Sequence, residues 1–275
     1  MFPFPVSASA YISTSNEVPI EVHGCLRIHH DGRFERLAGL NTILAGTDQM
    51  TDVQCKDVVI SHETNLSASP EYPIPTPYED SWDAIKWVAS HARENGPEPW
   101  LNAYADLHKV FLAGDSSGAN IAHNMAIQVG LNLNPTRINL KGVILLHPYF
   151  QGKDPIGPEL GKDGDFKALA DLMWKLAGRG RIGLDDPLLN PAMDPRISNF
   201  GCSKILLCVA EKDKFTVRSL NYKKVMEKRG WKGRVELMES KGERHGFFLF
   251  DTSCTNACNL RRRICSFINP TRSNV

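Results

Sequence analysis

Residues 110–126 read VFLAGDSSGANIAHNMA, and the fold turns on how they are parsed. Val110–Ala113 is a short apolar run of strand type. Gly114-Asp115-Ser116-Ser117-Gly118 follows directly as a G-x-S-x-G motif, and an amphipathic helical pattern begins at its end. This order matters because the motif works only as a sharp strand-to-helix turn. The glycines let strand and helix approach closely, and the strained turn lifts the Ser116 hydroxyl above the sheet. The bland alternative is a helix-capping turn, in which Asp115 or Ser116 merely bonds backbone N–H groups. The flanking strand and helix favour the nucleophile.

Downstream the pattern is regular. LKGVILLHPYF (140–150), KILLCVA (204–210) and RVELMES (234–240) are apolar strand candidates, separated by helical stretches such as SLNYKKVMEKRG (219–230) and closed by a helix from about Cys254 to Asn269. Apolar strands alternating with amphipathic helices predict a mostly parallel sheet with helices on both faces. Residues 155–199, rich in Gly, Pro and Asp, read as a cap or lid over strand ends. Upstream, CLRIHHDGRFERL (25–37) holds two short strands around Asp31-Gly32, a two-residue hairpin signal. Val58–Ile60 offers a further strand, and a helix from about Asp80 to Ala92 repeats Trp82, Ile85, Val88 and Ala89 at helical spacing.

A serine nucleophile needs a base, and the base an orienting carboxylate. Asp213 stands just past KILLCVA and His245 just past RVELMES. Groups that react in open α/β sheets gather beyond the carboxyl ends of the strands. The chain order Ser, Asp, His matches one known arrangement of this constellation. Glu211 competes with Asp213 as the acid. His123 and His147 read as packed, hydrogen-bonded histidines, and His29 and His30 as solvent-facing neighbours of the hairpin turn.

Composition narrows the rest. A formal charge of +1, with both signs mixed along the chain, gives no support for a nucleic-acid or anionic-membrane partner. Arg261–Arg263 reads as a solvated helix face. The seven cysteines show no CxxC or His/Cys ligand spacing, so neither a metal nor a cofactor is expected. Reduced, mostly buried thiols in a cytoplasmic protein are expected instead. Residues 1–16 read as a disordered extension, with an organellar transit segment the less favoured reading, and residues 17–275 as a single domain. No apolar run approaches a membrane span.

The segments AGDSSGANIAHNMA, LKGVILLHPYFQG, GLDDPLLNPAMDP, CSKILLCVAEKD and ESKGERHGFF, with LRIHHDGRFERL and SPEYPIPTPYEDSWDAIKWV upstream, resemble the plant carboxylesterase family of the hormone-sensitive-lipase group. The likeness runs from about Glu17 to Pro270. It implies an α/β-hydrolase fold with an N-terminal β-hairpin, and Ser116, Asp213 and His245 as catalytic triad. The implied activity is hydrolysis of small acyl esters. The family also holds isoflavonoid dehydratases, which carry Thr where this chain has Ser116, and hormone receptors that have lost the triad histidine.

One departure is large. The family's H-G-G-G loop supplies most of its oxyanion hole, yet no H-G-G occurs in this sequence. The stretch ETNLSASPEYPIP (63–75) passes from strand-like to proline-loop sequence without the strand, crossover helix and strand expected between them, upwards of about 30 residues. The resemblance places this gap between Ala68 and Ser69. A fold truncated by loss of central strands before the nucleophile elbow follows, with the Ser116 strand left at a sheet edge. The Ser117 backbone N–H then remains as the expected oxyanion donor. Two readings result: an impaired esterase, or a weak or inactive variant that binds a small molecule or partner.

Overall fold

The structure is a computed structural model; it describes residues 20–22, 26–28, 34–36, 46–47, 54–55, 72–92, 95–131 and 138–270. Residues 1–16, the strand expected at Val58–Ile60, His29, His30, the Asp31-Gly32 turn and the Ala68–Ser69 junction lie outside them. By contacts the chain divides into two compact units, Met1–Val59 and Ile60–Val275.

In the first unit β1 (Ile20–Val22), β2 (Leu26–Ile28) and β3 (Phe34–Arg36) form an antiparallel three-stranded sheet. The expected hairpin is present, with Ile28 opposite Phe34. A second antiparallel pair joins β4 (Gly46–Thr47) to β5 (Gln54–Cys55).

The second unit opens with α1 (Thr76–Ala89), which starts four residues before the expected Asp80. Pro77 explains the difference, because proline is tolerated in a helix's first turn, where its missing N–H has no partner anyway. The short α2 (Pro99–Tyr104) leads to β6 (Val110–Asp115), α3 (Ser117–Gly130) and β7 (Leu140–Leu146). Then come α4 (Gly164–Ala177), β8 (Lys204–Ala210), α5 (Thr216–Lys228), β9 (Arg234–Ser240), the one-turn α6 (Phe247–Phe250) and α7 (Thr255–Ile268). The sheet order is β6-β7-β8-β9, every pair parallel.

Strand alternation divides the core into two layers. Ile205, Leu207 and Val209 of β8 pack with Ala126 and Ile127 of α3 and Tyr222 and Met226 of α5. Leu206, Cys208 and Ala210 pack with Ala257, Leu260 and Phe267 of α7. Helices thus cover both faces, as the apolar strands predict. Truncating a fully buried leucine such as Leu207 to alanine removes about 2–5 kcal/mol.

Burial is uneven across the sheet. Six of the seven residues of β8 are buried, whereas no residue of β6 is, and Ala113 and Asp115 are exposed. Among the described residues β6 pairs only with β7 and forms the sheet edge. The apolar stripe of α1 is likewise half-buried at Trp82, Ile85 and Val88. The cysteines depart from expectation: of the five whose side chains are described, all free, only Cys208 is buried and Cys265 is exposed. Cys254 caps α7 and Cys258 lies one turn on, half-buried positions near a helix end rather than in the core.

Candidate active site

Ser116 sits between β6 and α3 with φ 51° and ψ −117°, a backbone conformation that non-glycine residues rarely adopt. Such strain, about 1–3 kcal/mol, persists only where the surroundings over-determine it. Here they do. The Ser116 N–H donates to the Leu146 carbonyl at 2.9 Å, and the Ser116 carbonyl accepts from Tyr149 and Asn120 N–H at 3.0 and 3.2 Å. Gly114 is required by packing, since a Cβ there would meet the Gly118 carbonyl oxygen at 2.2 Å. A Cβ on Gly118 meets nothing within 4 Å. Of the two motif glycines, only the first is in close approach.

The sequence places Asp213 and His245 on separate loops, and the fold brings both to Ser116. His245 Nε2 lies 3.1 Å from Ser116 Oγ, and His245 Nδ1 lies 2.9 Å from Asp213 Oδ2. The other Asp213 oxygen accepts the Phe215 N–H at 3.0 Å. Asp213's side chain is 2% exposed and that of His245 36%, so the carboxylate is dry while the imidazole can be reached. Glu211, the competing acid, instead accepts the Gly242 N–H at 2.7 Å.

His147 is packed, as expected, but beside the site. Its ring centroid lies 5.5 Å from that of His245, and its Nδ1 accepts the Gly246 N–H at 3.0 Å. Gly246, at φ 66°, takes the left-handed conformation that turns its N–H inward. Burial pushes the His147 pKa down to about 4, against the opposing pull of Asp213. The ring is therefore neutral near pH 7 and does not compete as a cation for Asp213, 3.7 Å away. His147, Asp213 and His245 could geometrically gather round a cation, their ligand atoms lying within 4.8 Å of one another. Both Nδ1 atoms and the carboxylate are already engaged in the bonds above. His123 is a buried residue of α3, its Nδ1 3.1 Å from the Tyr222 hydroxyl.

Two features escape the sequence reading. Phe215 packs its ring 5.3 Å from His245 and 4.9 Å from Phe166 of α4. Asn120, one turn after Ser116, accepts from the Tyr78 hydroxyl at 2.7 Å and donates to the Tyr149 and Leu188 carbonyls. Its position four residues after the motif serine was the available signal.

Ser117, the expected oxyanion donor, is the first residue of α3. First-turn N–H groups have no carbonyl partner within their own helix and carry the positive end of its dipole. Asp115 ends β6 and is exposed.

The arrangement can do acyl-transfer chemistry: a hydroxyl against an imidazole, and an imidazole against a buried carboxylate. Comparisons agree. A sequence model of the α/β-hydrolase fold matches residues 49–249. A protein from Arabidopsis thaliana named "Probable carboxylesterase 2" is 34% identical over 316 residues, covering 94% of this chain and 98% of its own length. A Glycine max protein named 2-hydroxyisoflavanone dehydratase is 31% identical, covering 92% of this chain and 99% of its own length. Among solved structures, a hyperthermophilic esterase from Pyrobaculum calidifontis superposes with a TM-score of 0.57 at 26% identity. That superposition covers 72% of this chain and 62% of the esterase. No described helix is long and apolar enough to cross a membrane. The chain belongs to the α/β-hydrolase fold family, among its carboxylesterase-type members.

Proposed function

We propose that this chain is a serine carboxylic-ester hydrolase for small acyl esters, slowed by an incomplete oxyanion hole. The observation that carries it is the unbroken path from Ser116 Oγ through His245 to Asp213. In the proposed reaction Ser116 Oγ attacks the ester carbonyl while His245 Nε2 takes its proton. His245 then returns that proton to the leaving alcohol, and water hydrolyses the acyl-enzyme by the same steps. Asp213 holds the tautomer and stabilises the imidazolium. No cofactor enters this chemistry.

The impairment rests on the missing loop. The alignment with the Arabidopsis relative spans 316 positions, whereas 94% of 275 residues is about 258, so about 58 positions lack a counterpart here. Open space at the Gly118 Cβ and the half-buried β6 are what the loss of neighbouring strands before the elbow leaves. Each lost donor removes about 3–4 kcal/mol of transition-state stabilisation, roughly a hundred- to thousand-fold in rate. The same observations favour the second reading, a variant that binds a small molecule or partner without turnover. Ser116 at the nucleophile position disfavours dehydration of the kind named for the soybean relative. Hydrolysis of a short-chain p-nitrophenyl ester, compared between the protein and Ser116→Ala, tests the proposal. Activity lost in the variant supports it, and activity unchanged sinks it. No Ser116-dependent activity at all favours the binding variant.

A further inference from the structure

The acid and base adjoin a second set of contacts that acyl transfer does not use. The insertion between β7 and β8 meets the segment following Asp213 at three points. Arg218 Nε and Nη2 grip both carboxylate oxygens of Glu159 at 2.8 and 2.5 Å. Lys214 lies 3.5 Å from Asp163 and over the Phe166 ring, 5.3 Å from its centroid. The Phe166 ring meets that of Phe215 edge-on.

The first contact dominates. The Arg218 and Glu159 side chains are 6% and 3% exposed, so the pair is desolvated and unscreened. A buried pair persists only where its remaining hydrogen bonds are made. Two of these are in place: Arg218 Nη2 also donates to the Asp154 carbonyl at 2.7 Å, and Glu159 Oε2 also accepts the Ile156 N–H at 2.9 Å. The planar fork of arginine fixes direction as well as distance, which a lysine at this position would not. By contrast the Lys214–Asp163 pair is half-exposed and contributes little.

Arg218 touches no reacting group, but α5 begins on the acid's own loop. Asp213 orients its carboxylate through the Phe215 N–H, the Thr216 N–H returns to the Asp213 carbonyl, and the Phe215 ring packs on His245. A shift of α5 against the insertion must pass through this loop. We propose that Arg218 is a positioning residue: gripping Glu159, it clamps the insertion onto the Asp213–Phe215 loop and so holds the Asp213–His245 pair in register with Ser116. The proposal rests on the reading of those three residues as the reacting set. A displacement of about 1 Å at a reacting group can lower rate a hundredfold, so a clamp need move little to matter.

The test uses the whole chain. Arg218→Met alone strands a buried carboxylate, so both charges are removed together in Arg218→Met/Glu159→Met, with Arg218→Lys, which keeps the charge but loses the planar fork, as a second variant should the pair not fold. Asp194→Asn, which weakens the pair of buried Asp194 with half-exposed Arg196 elsewhere in the unit, controls for general loosening. Two readouts are taken: the rate of Ser116 phosphonylation by a fluorophosphonate, and the low-field proton NMR resonance of the His245 Nδ1–H bonded to Asp213. The expected result is a fall of about tenfold or more in labelling and a broadened resonance in the clamp variants, with neither change in Asp194→Asn. Wild-type labelling and an intact resonance in the clamp variants overturn the proposal, as do equal losses in the control. If the unmodified protein shows the resonance but does not label, the esterase reading fails instead, and the resonance alone decides the clamp.

Discussion

The β8 side of the sheet and the β6 side supply parts of one candidate site and are built differently. On the β8 side, Asp213 is dry and doubly hydrogen-bonded, the Phe215 ring packs on its partner His245, and the Arg218–Glu159 pair ties α5 to the insertion. On the β6 side, the nucleophile strand is half-exposed, and space lies open beside Gly118. Position and acid–base chemistry are local to the strand ends and survive at the edge of a sheet. Stabilising an oxyanion is not local, because its donors come from a different strand and loop. In the proposed reaction the nucleophile, base and acid are in place while the charge they create goes largely unsupported.

The comparison can be broken in several places. The largest effect is expected from Asp213→Asn, which leaves the geometry but presents the wrong tautomer to Ser116. Ser116-dependent turnover should fall about 10⁴-fold, measured as kcat/KM for a p-nitrophenyl ester. A fall of only a few-fold would mean that Glu211 or another group serves as the acid.

Acid stability comes next, since two buried histidines, His147 and His123, are neutral. Burial lowers His147 to about 4 and His123 to about 3, from an unfolded value of 6.5. The unfolded chain then binds protons that the folded chain does not. Their stabilisation is therefore complete above pH 6.5 and is lost as pH falls from there towards 4. At pH 5 each histidine costs about 2 kcal/mol, readable by denaturant unfolding at pH 7 and pH 5. A flat profile would contradict their neutral burial.

The two glycines of the elbow give a smaller, sharper contrast. Gly114→Ala drives a Cβ into the Gly118 carbonyl and should destabilise by about 1–3 kcal/mol or more. Gly118→Ala meets open space at the second residue of α3, where alanine is the better helix former, and should be neutral or stabilising by up to about 1 kcal/mol. If Gly118→Ala destabilises as much as Gly114→Ala, the nucleophile side is not open. Hydrogen exchange gives the finest probe: β6 amides should exchange ahead of those of β8, whose ladder is paired on both sides.

Much of this was legible in the sequence. VFLAG, KILLCVA and RVELMES read as strands, although only KILLCVA is buried on both faces, and Ser116, Asp213 and His245 each follow one of them. The Arg218–Glu159 pair was not legible. Its partners lie 59 residues apart, and each in isolation is an ordinary charged surface residue. The start of α1 was missed because Pro77 looks like a break and acts as a first-turn residue. The short β1, β4 and β5 are too brief for periodicity to register. The half-burial of β6 could not come from its own residues, since VFLA reads the same at a sheet centre or a sheet edge.

What is proposed is a complete acid–base relay beside a depleted oxyanion hole. The most direct measurement is kcat/KM for a short-chain p-nitrophenyl ester, for this chain, its Ser116→Ala variant and a family member carrying the H-G-G-G loop. With two donors lost, the account predicts turnover that depends on Ser116 yet lies roughly 10⁴- to 10⁶-fold below the loop-bearing relative. Ser116-dependent turnover equal to that relative's would contradict it.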